Sequence, residues 1–217
     1  MFSSFFPSKF LRPTNGTPGT SHGSGGVLSQ LLDVPELLEE GTTSRELIIG
    51  TLDHIVSQQF PSGNFPSEYY DESEDELVQW DHGAPGIMTT LAKASVILSD
   101  PSYLASAQKA ADCVWERGIL YKGLMICHGI MGNTYMQSYL YKLTGDLKYL
   151  YRAISFQEFV SQTPDLYDIN LMRQPTPVPF GFFAASYASA AALWSDLLRH
   201  ADDDLSKISM PFFEGSI

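Results

Sequence analysis

The sequence predicts an all-α protein of stacked helical hairpins. Three observations support this prediction: a repeated motif, its spacing and the composition. The motif His-Gly-x-x-Gly occurs three times, starting at His22, His82 and His128, and each copy opens an apolar stretch typical of a helix. The copies start 60 and 46 residues apart, which leaves room for two helices and a connection in each repeat. Three of the five histidines share this frame, which disfavours a chance origin.

The composition is typical of a helical domain that acts away from nucleic acid and membranes. The chain has 217 residues, of which 44% are hydrophobic, and it contains no apolar run long enough to span a bilayer. Its net charge of −12 disfavours nucleic acid and anionic membrane surfaces as partners. Two cysteines, Cys113 and Cys127, are too few for a disulfide framework and indicate the reducing cytoplasm.

The N-terminal segment differs in composition from the rest. Residues 1–21 are rich in Ser, Pro, Phe, Thr and Gly and carry only two charges, Lys9 and Arg12. We expect a disordered or misassigned segment, with a transit peptide as the alternative, because the apolar stretch is too short for a secretory signal. The folded domain is expected to occupy residues 22–217.

Helix signals continue along the chain in order. A first helix is expected at 26–34, and Ser44 is the expected N-cap of a second. Residues 60–80 are expected to form a loop with a solvated acidic run. Asp100-Pro101 and Gly145-Asp146 mark turns between hairpin partners. Further helices are expected at 85–98, 101–117, 132–143, 146–160 and 182–199, with a Pro-rich connector at 164–179 and an aromatic tail at 210–214.

The repeated motif also has a chemical interpretation. Glycine allows a close junction between loop and helix, and the helix start presents unpaired N–H groups. A histidine at such a junction can point into a shared cavity. Possible metal ligands precede two copies, Asp81 before His82 and Cys127 before His128. The repeats are therefore expected to bring reactive residues to one place.

Three stretches carry a resemblance to a known family. They are Trp-Asp-His-Gly-Ala-Pro-Gly at 80–86, residues 118–132 with the Cys-His-Gly-x-x-Gly that Asn133 follows, and residues 143–159. These resemble the lanthionine synthetase C-like (LanC-like) proteins, especially the eukaryotic members. The resemblance implies an α/α toroid, two concentric rings of helices in seven hairpins. This chain would supply the later hairpins only, an incomplete ring.

The resemblance also implies a zinc site at the mouth of the inner ring. Its ligands would be Asp81, Cys127 and His128, with Asp81 standing where the family has cysteine. Three ligands leave an open position for a thiol, although a carboxylate is a harder ligand than a thiolate. The alternative is that Cys127 and His128 are inherited core residues of a site that no longer binds metal.

Four further residues have roles implied by the resemblance. His22 would act as acid or base on the enolate formed when a thiol adds to a dehydroamino acid, and His82 would lie near the reacting centre. Lys122 and Arg173 would contact glutathione. His22 has an alternative as a hydrogen-bonded loop residue, and Cys113 is expected in packing.

The sequence departs from the family in two places. Residues 71–80 lack the arginine that precedes the first zinc ligand in bacterial cyclases, and the stretch from Phe180 to Ser186 lacks the acid of a Phe-Glu-Gly motif. Three functions therefore compete: a zinc enzyme adding glutathione or another thiol to dehydroamino acids in peptides, a non-catalytic glutathione- or peptide-binding relative, and a glycosidase relative. The last needs paired carboxylates, and only Asp81 is placed at the mouth. Half a toroid would expose helix flanks, so an oligomer is possible.

Overall fold

The computed structural model describes residues 18–20, 23–68, 75–120 and 122–163. Within these ranges the secondary structure is helical, with no strand, which confirms the predicted all-α class. The predicted helix at 182–199, the connector, the aromatic tail, His22 and Arg173 lie outside the described residues. The helices are α1 (Ser24–Leu31), α2 (Thr43–Ser57), α3 (Ala84–Ile97), α4 (Pro101–Arg117), α5 (Ile130–Thr144) and α6 (Leu147–Gln162), with a short 3-10 helix at Pro35–Leu37.

Two hairpins dominate the packing. Helix α3 packs on α4, and α5 packs on α6, each pair joined by a connection of only a few residues that makes the partners antiparallel. Helix α3 also contacts both α1 and α5, so these three helices form one row with α4 and α6 behind it. No helix in the described part of the chain has the length and apolarity that crossing a membrane requires.

The sequence accounts for the outer helices through their caps and apolar stripes. The Asp100 carboxylate accepts a hydrogen bond from the Ser102 N–H, and the Asp146 carboxylate accepts one from the Lys148 N–H. These caps start α4 and α6 at the predicted turns. Helix α6 then buries one face at helical spacing through Tyr149, Ala153, Phe156 and Val160.

The second helix begins earlier than predicted. Ser44 was the expected N-cap, but Thr42 has this position, and its hydroxyl accepts from the Arg45 N–H at 3.3 Å. The Ser44 hydroxyl instead donates to the Leu37 carbonyl, 2.9 Å away, which ties α2 to the preceding 3-10 helix. Two hydroxyl residues two positions apart look equivalent in sequence, but in the structure Thr42 caps the helix while Ser44 bonds to the chain that precedes it.

The row helices begin within the repeated motif, at its third residue. Their N-caps are Gly23, Gly83 and Gly129, which have no side chain of their own to cap the helix. Helix α5 is buried on every side from Ile130 to Leu140, as expected for an element packed between others. His82 and His128 therefore lie at the same end of neighbouring helices, as expected if the repeats bring these residues to one place.

The last glycine of each motif copy explains the repeat physically. A Cβ added to Gly26, Gly86 or Gly132 would meet the carbonyl oxygen of the residue six positions earlier, at 1.9, 2.2 and 2.0 Å respectively. Each loop thus crosses the first turn of its own helix at a separation that only glycine permits. In the second and third copies, the crossing fixes the residues between loop and helix, where His82 and His128 lie.

Candidate metal centre

Three side chains from two repeats meet at the start of α3 and α5. Each of Asp81, His82 and His128 offers one ligand atom, and these atoms lie within 4.8 Å of one another. The Asp81 Oδ2 lies 3.0 Å from the His128 Nε2 and 3.8 Å from the His82 Nε2. The two imidazole rings are roughly stacked, with centroids 6.2 Å apart. A carboxylate and two imidazoles are ligands that zinc accepts.

The carboxylate is the least accessible member of this group. The Asp81 side chain is 6% exposed, whereas those of His82 and His128 are 27% and 34% exposed. A buried carboxylate needs a positive partner, and it has one in His128. The centre therefore has a buried acid at its base and two histidines toward solvent.

His128 is electrostatically tuned by this neighbourhood. Its pKa is raised to about 9, first by the hydrogen bond to Asp81 and then by the contact with Cys127, while desolvation opposes the shift. Without a metal, the His128 ring is thus an imidazolium at neutral pH and neutralises the Asp81 carboxylate. A divalent cation would take over that neutralising role and displace the proton.

Cys127 lies beside the group and does not belong to the closest three. Its thiol contacts His128, and its backbone carbonyl accepts a hydrogen bond from the Asp81 N–H at 2.9 Å. This backbone bond joins equivalent positions of two repeats, each one residue before the motif histidine. The bond holds the two predicted ligand positions together whichever side chains bind a metal.

Lys122 is connected to the centre through Gln79. The Lys122 ammonium donates to the Gln79 side-chain oxygen at 3.3 Å. Gln79 in turn exchanges two backbone hydrogen bonds with His82, both 3.0 Å long. The predicted glutathione contact is thus tied to the turn that bears Asp81 and His82, and Gln79 is a residue that the sequence did not single out.

The remaining predicted site residues fall outside the described part of the chain. These are His22 and Arg173. Residues 18–20 are described, and Gly19 packs on the centre: a Cβ at Gly19 would meet the Asp81 carbonyl oxygen at 2.2 Å. The chain of the first repeat therefore approaches the backbone of the ligand turn.

Sequence comparison adds the family. The description "Lanthionine synthetase C-like protein" belongs to a family model that matches residues 11–184, most of the chain. The chain belongs to the LanC-like family. This membership removes the glycosidase alternative, and it agrees with the helical repeats and with the placement of the motif residues at one end of the row.

Two LanC-like relatives show the extent of the match. The chain is 32% identical over 196 residues to "Glutathione S-transferase LANCL1" of Danio rerio, covering 90% of this chain and 45% of the relative. It is 35% identical over 186 residues to "LanC-like protein GCL1" of Arabidopsis thaliana, covering 85% of this chain and 41% of the relative. This LanC-like chain thus spans less than half the length of these relatives.

Proposed function

We propose that this chain adds the thiol of glutathione to dehydroamino acids in peptides at a zinc centre. The observation that carries the proposal is the convergence of Asp81 with His128 from the next repeat, 3.0 Å apart. The name of the Danio rerio relative, a glutathione S-transferase, supports glutathione as the thiol. We further propose that the described helices belong to the later hairpins of an α/α toroid.

Asp81 and His128 are the common members of two possible ligand sets. The resemblance adds Cys127, and the distances in the structure add His82. Either set leaves one of four tetrahedral positions open, whereas all four residues together would close the site. Bound zinc would lower the pKa of an incoming thiol and so provide a sulfur nucleophile near neutral pH.

The chain's own residues would then handle charge and protons. Addition forms a bond between sulfur and the β-carbon of the dehydroamino acid, and the α-carbon gains a proton. His82 lies beside Asp81 with 27% of its side chain exposed, and we propose that it delivers that proton and that His22 shares this role. Lys122, anchored to Gln79, would attract a glutathione carboxylate. Arg173 is proposed for a second carboxylate contact.

A second function is favoured by one specific observation. The ion pair of Asp81 with His128 gives the buried carboxylate a partner without a metal. A LanC-like protein that binds glutathione or peptide without catalysis is therefore the alternative. In both cases we place the protein in the cytoplasm, because Cys113 and Cys127 are free thiols.

The function is tested by incubating purified protein with glutathione and a dehydroalanine peptide and following the adduct by mass. We expect an adduct that disappears with a chelator and returns with Zn²⁺. Lys122→Met should raise the KM for glutathione with little change in kcat. Lys148→Met is the control, since Lys148 is a partly exposed lysine 3.7 Å from Asp112 on the outer helices. Glutathione binding without adduct would favour the alternative.

The ligand set is tested separately by Co²⁺ substitution. A cysteine ligand gives a sulfur-to-cobalt charge-transfer absorption, which Cys127→Ser should remove. Cys113→Ser is the control, because Cys113 is buried in α4. If the absorption is absent from the wild-type protein while Co²⁺ still binds, then His82 is the third ligand.

A further inference from the structure

The segment that leads to Asp81, residues 75–80, is neither helix nor strand, and its backbone is held by side chains. Arg117 at the end of α4 donates to the Asp75 carbonyl at 2.6 Å and to the Glu76 carbonyl at 3.3 Å. Asn64 holds the next carbonyl, that of Leu77, and Asn133 holds that of Val78, both at 3.1 Å. Four successive carbonyls therefore depend on three side chains from distant parts of the sequence.

Asn64 is the more heavily bonded of the two amides. It is completely buried, and besides Leu77 its Nδ2 donates to the Asp75 carboxylate at 2.9 Å. Its Oδ1 accepts from the Ala84 N–H at 2.8 Å. That N–H is the first of α3, whose own N-cap, Gly83, has no side chain to satisfy it. Asn64 thus caps α3 from 20 residues away, and its hydrogen bonds hold both ends of the turn that bears Asp81 and His82.

Asn133 holds the same segment from the opposite repeat. It is completely buried in the first turn of α5, and its Nδ2 donates to Val78 and, at 2.8 Å, to the Gly118 carbonyl. It lies five residues after His128 on the helix that His128 precedes. The start of α5 therefore anchors both His128 and the segment that leads to Asp81. A displacement of Val78 would change the distance between Asp81 and His128.

We propose that Asn64 and Asn133 are positioning residues that hold Asp81 beside His128 and so set the affinity of the centre for a divalent metal. The effect on metal affinity rests on the proposed zinc site, whereas the effect on Asp81 does not. Residues that orient ligands through hydrogen bonds typically change metal affinity 10- to 100-fold when they are replaced. Leucine has the same number and branching of side-chain heavy atoms as asparagine, but its side chain makes no hydrogen bonds.

The experiment compares Asn64→Leu and Asn133→Leu with Gln137→Leu in the full-length chain. Gln137 is the matched control: it is a completely buried amide one turn along α5, and its Nε2 donates to the Ala111 carbonyl at 2.9 Å, away from the ligand segment. Each protein is stripped with a chelator and titrated with Co²⁺. We expect both asparagine variants to bind Co²⁺ about 10-fold or more weakly, and the Gln137 variant to bind within about 2-fold of wild type.

A second variant and a metal-free measurement protect the test against misfolding. Asn64→Asp keeps an acceptor for the Ala84 N–H but replaces the donor that faces both the Leu77 carbonyl and the Asp75 carboxylate, so Co²⁺ affinity should fall while α3 stays capped. Amide exchange of the Asp81 N–H, which bonds to Cys127, reports directly on the position of the segment. It should be faster in the asparagine variants than in the Gln137 variant.

Equal loss of Co²⁺ affinity in all three leucine variants would overturn the proposal, as would wild-type affinity in the asparagine variants. If the wild-type protein itself binds no Co²⁺, the proposed zinc function fails, and Asp81 exchange then decides the positioning role alone. Faster exchange in the asparagine variants would support that role, and unchanged exchange would overturn it.

Discussion

The carboxylate of Asp81 lies 3.0 Å from the Nε2 of His128, although the two residues come from separate copies of the repeat. A buried acid and a histidine with a raised pKa form one ion pair at the start of two neighbouring helices. A proton and a metal ion would compete for the same side chains. The centre can therefore be tested electrostatically in the metal-free protein before any activity is measured.

Asp81→Asn should lower the pKa of His128 from about 9 toward its ordinary value of roughly 6.5. The hydrogen bond to Asp81 is the largest cause of the raised pKa, and an uncharged amide would remove most of it. NMR titration of the His128 ring in chelator-treated protein measures this change. His54 in α2, remote in sequence from the motif, serves as the internal reference. A His128 pKa that stays near 9 would show that Cys127 alone sustains it.

Gly132→Ala should destabilise the protein by roughly 1–3 kcal/mol, as overpacking of a rigid site does. The added Cβ would meet the Ile126 carbonyl oxygen at 2.0 Å, and that backbone cannot rotate away as a side chain could. Urea unfolding followed by circular dichroism gives the free energy of unfolding.

Gly50→Ala is the matched control for this glycine. Gly50 is exposed within α2 and has no neighbour within 4 Å of an added Cβ. Alanine has the higher helix propensity, so this variant should gain about 0.5–1 kcal/mol. If both variants destabilised the protein, the crossing of loop and helix would not explain the repeated glycine.

Asp75→Asn should lower the stability of the protein at neutral pH but not in acid. Desolvation would raise the pKa of Asp75, but hydrogen bonds from three side chains outweigh it and hold the pKa below its ordinary value. Those side chains are Ser62, Arg117 and Asn64. The stabilisation is therefore present above the ordinary carboxyl pKa of roughly 4 and is lost as the pH falls through the lower native value.

Thermal unfolding across the pH range tests this sign. The melting temperature of Asp75→Asn should lie below that of wild type at pH 7, and the two curves should converge below roughly pH 4. A constant difference at all pH values would mean that the amide disturbs packing instead of removing a charge.

The sequence predicted those parts of the fold that depend on local signals. Asp100 and Asp146 cap helices because a short acid next to a helix can satisfy its first N–H groups wherever it occurs. The motif predicted the position of His82 and His128, because glycine and histidine hold fixed places relative to the helix start. Thr42 and Ser44 could not be distinguished, since both carry a hydroxyl that can cap a helix, and in the structure Ser44 bonds to the Leu37 carbonyl.

The candidate site was predictable to a similar depth. The meeting of Asp81 with His128 was implied by the family resemblance, and both residues lie at the start of a motif copy. Only the position of His82 in the repeated motif indicated that it would lie close to Asp81 and His128. The distances themselves depend on the orientation of the His82 ring, which the spacing of the motif does not determine. Asn64 left no signal, because its bond to Ala84 spans 20 residues and other polar loop residues are equally able to make such a bond.

Asp81→Cys should increase zinc affinity and thiol-addition activity together, zinc affinity by roughly 10-fold or more as expected for a softer ligand. A thiolate at this position restores the ligand type that the resemblance implies and donates more charge to zinc than a carboxylate does. The backbone of residue 81 is already fixed by its hydrogen bond to Cys127, so the new side chain would start from a backbone that is held in place. Elemental analysis measures the metal content, and mass spectrometry follows glutathione addition to a dehydroalanine peptide.

Asp81→Ser is the control for this last comparison, because it removes the carboxylate without supplying a thiolate and should lose zinc relative to wild type. If the wild-type protein already carries one zinc per chain and reacts as fast as Asp81→Cys, then the carboxylate is a competent ligand and softness does not limit this centre. If Asp81→Cys binds zinc firmly but forms no adduct, metal retention and catalysis are separable. The Asp81–His128 ion pair would then mark a binding protein, and restoring the ligand would not be enough to restore the enzyme.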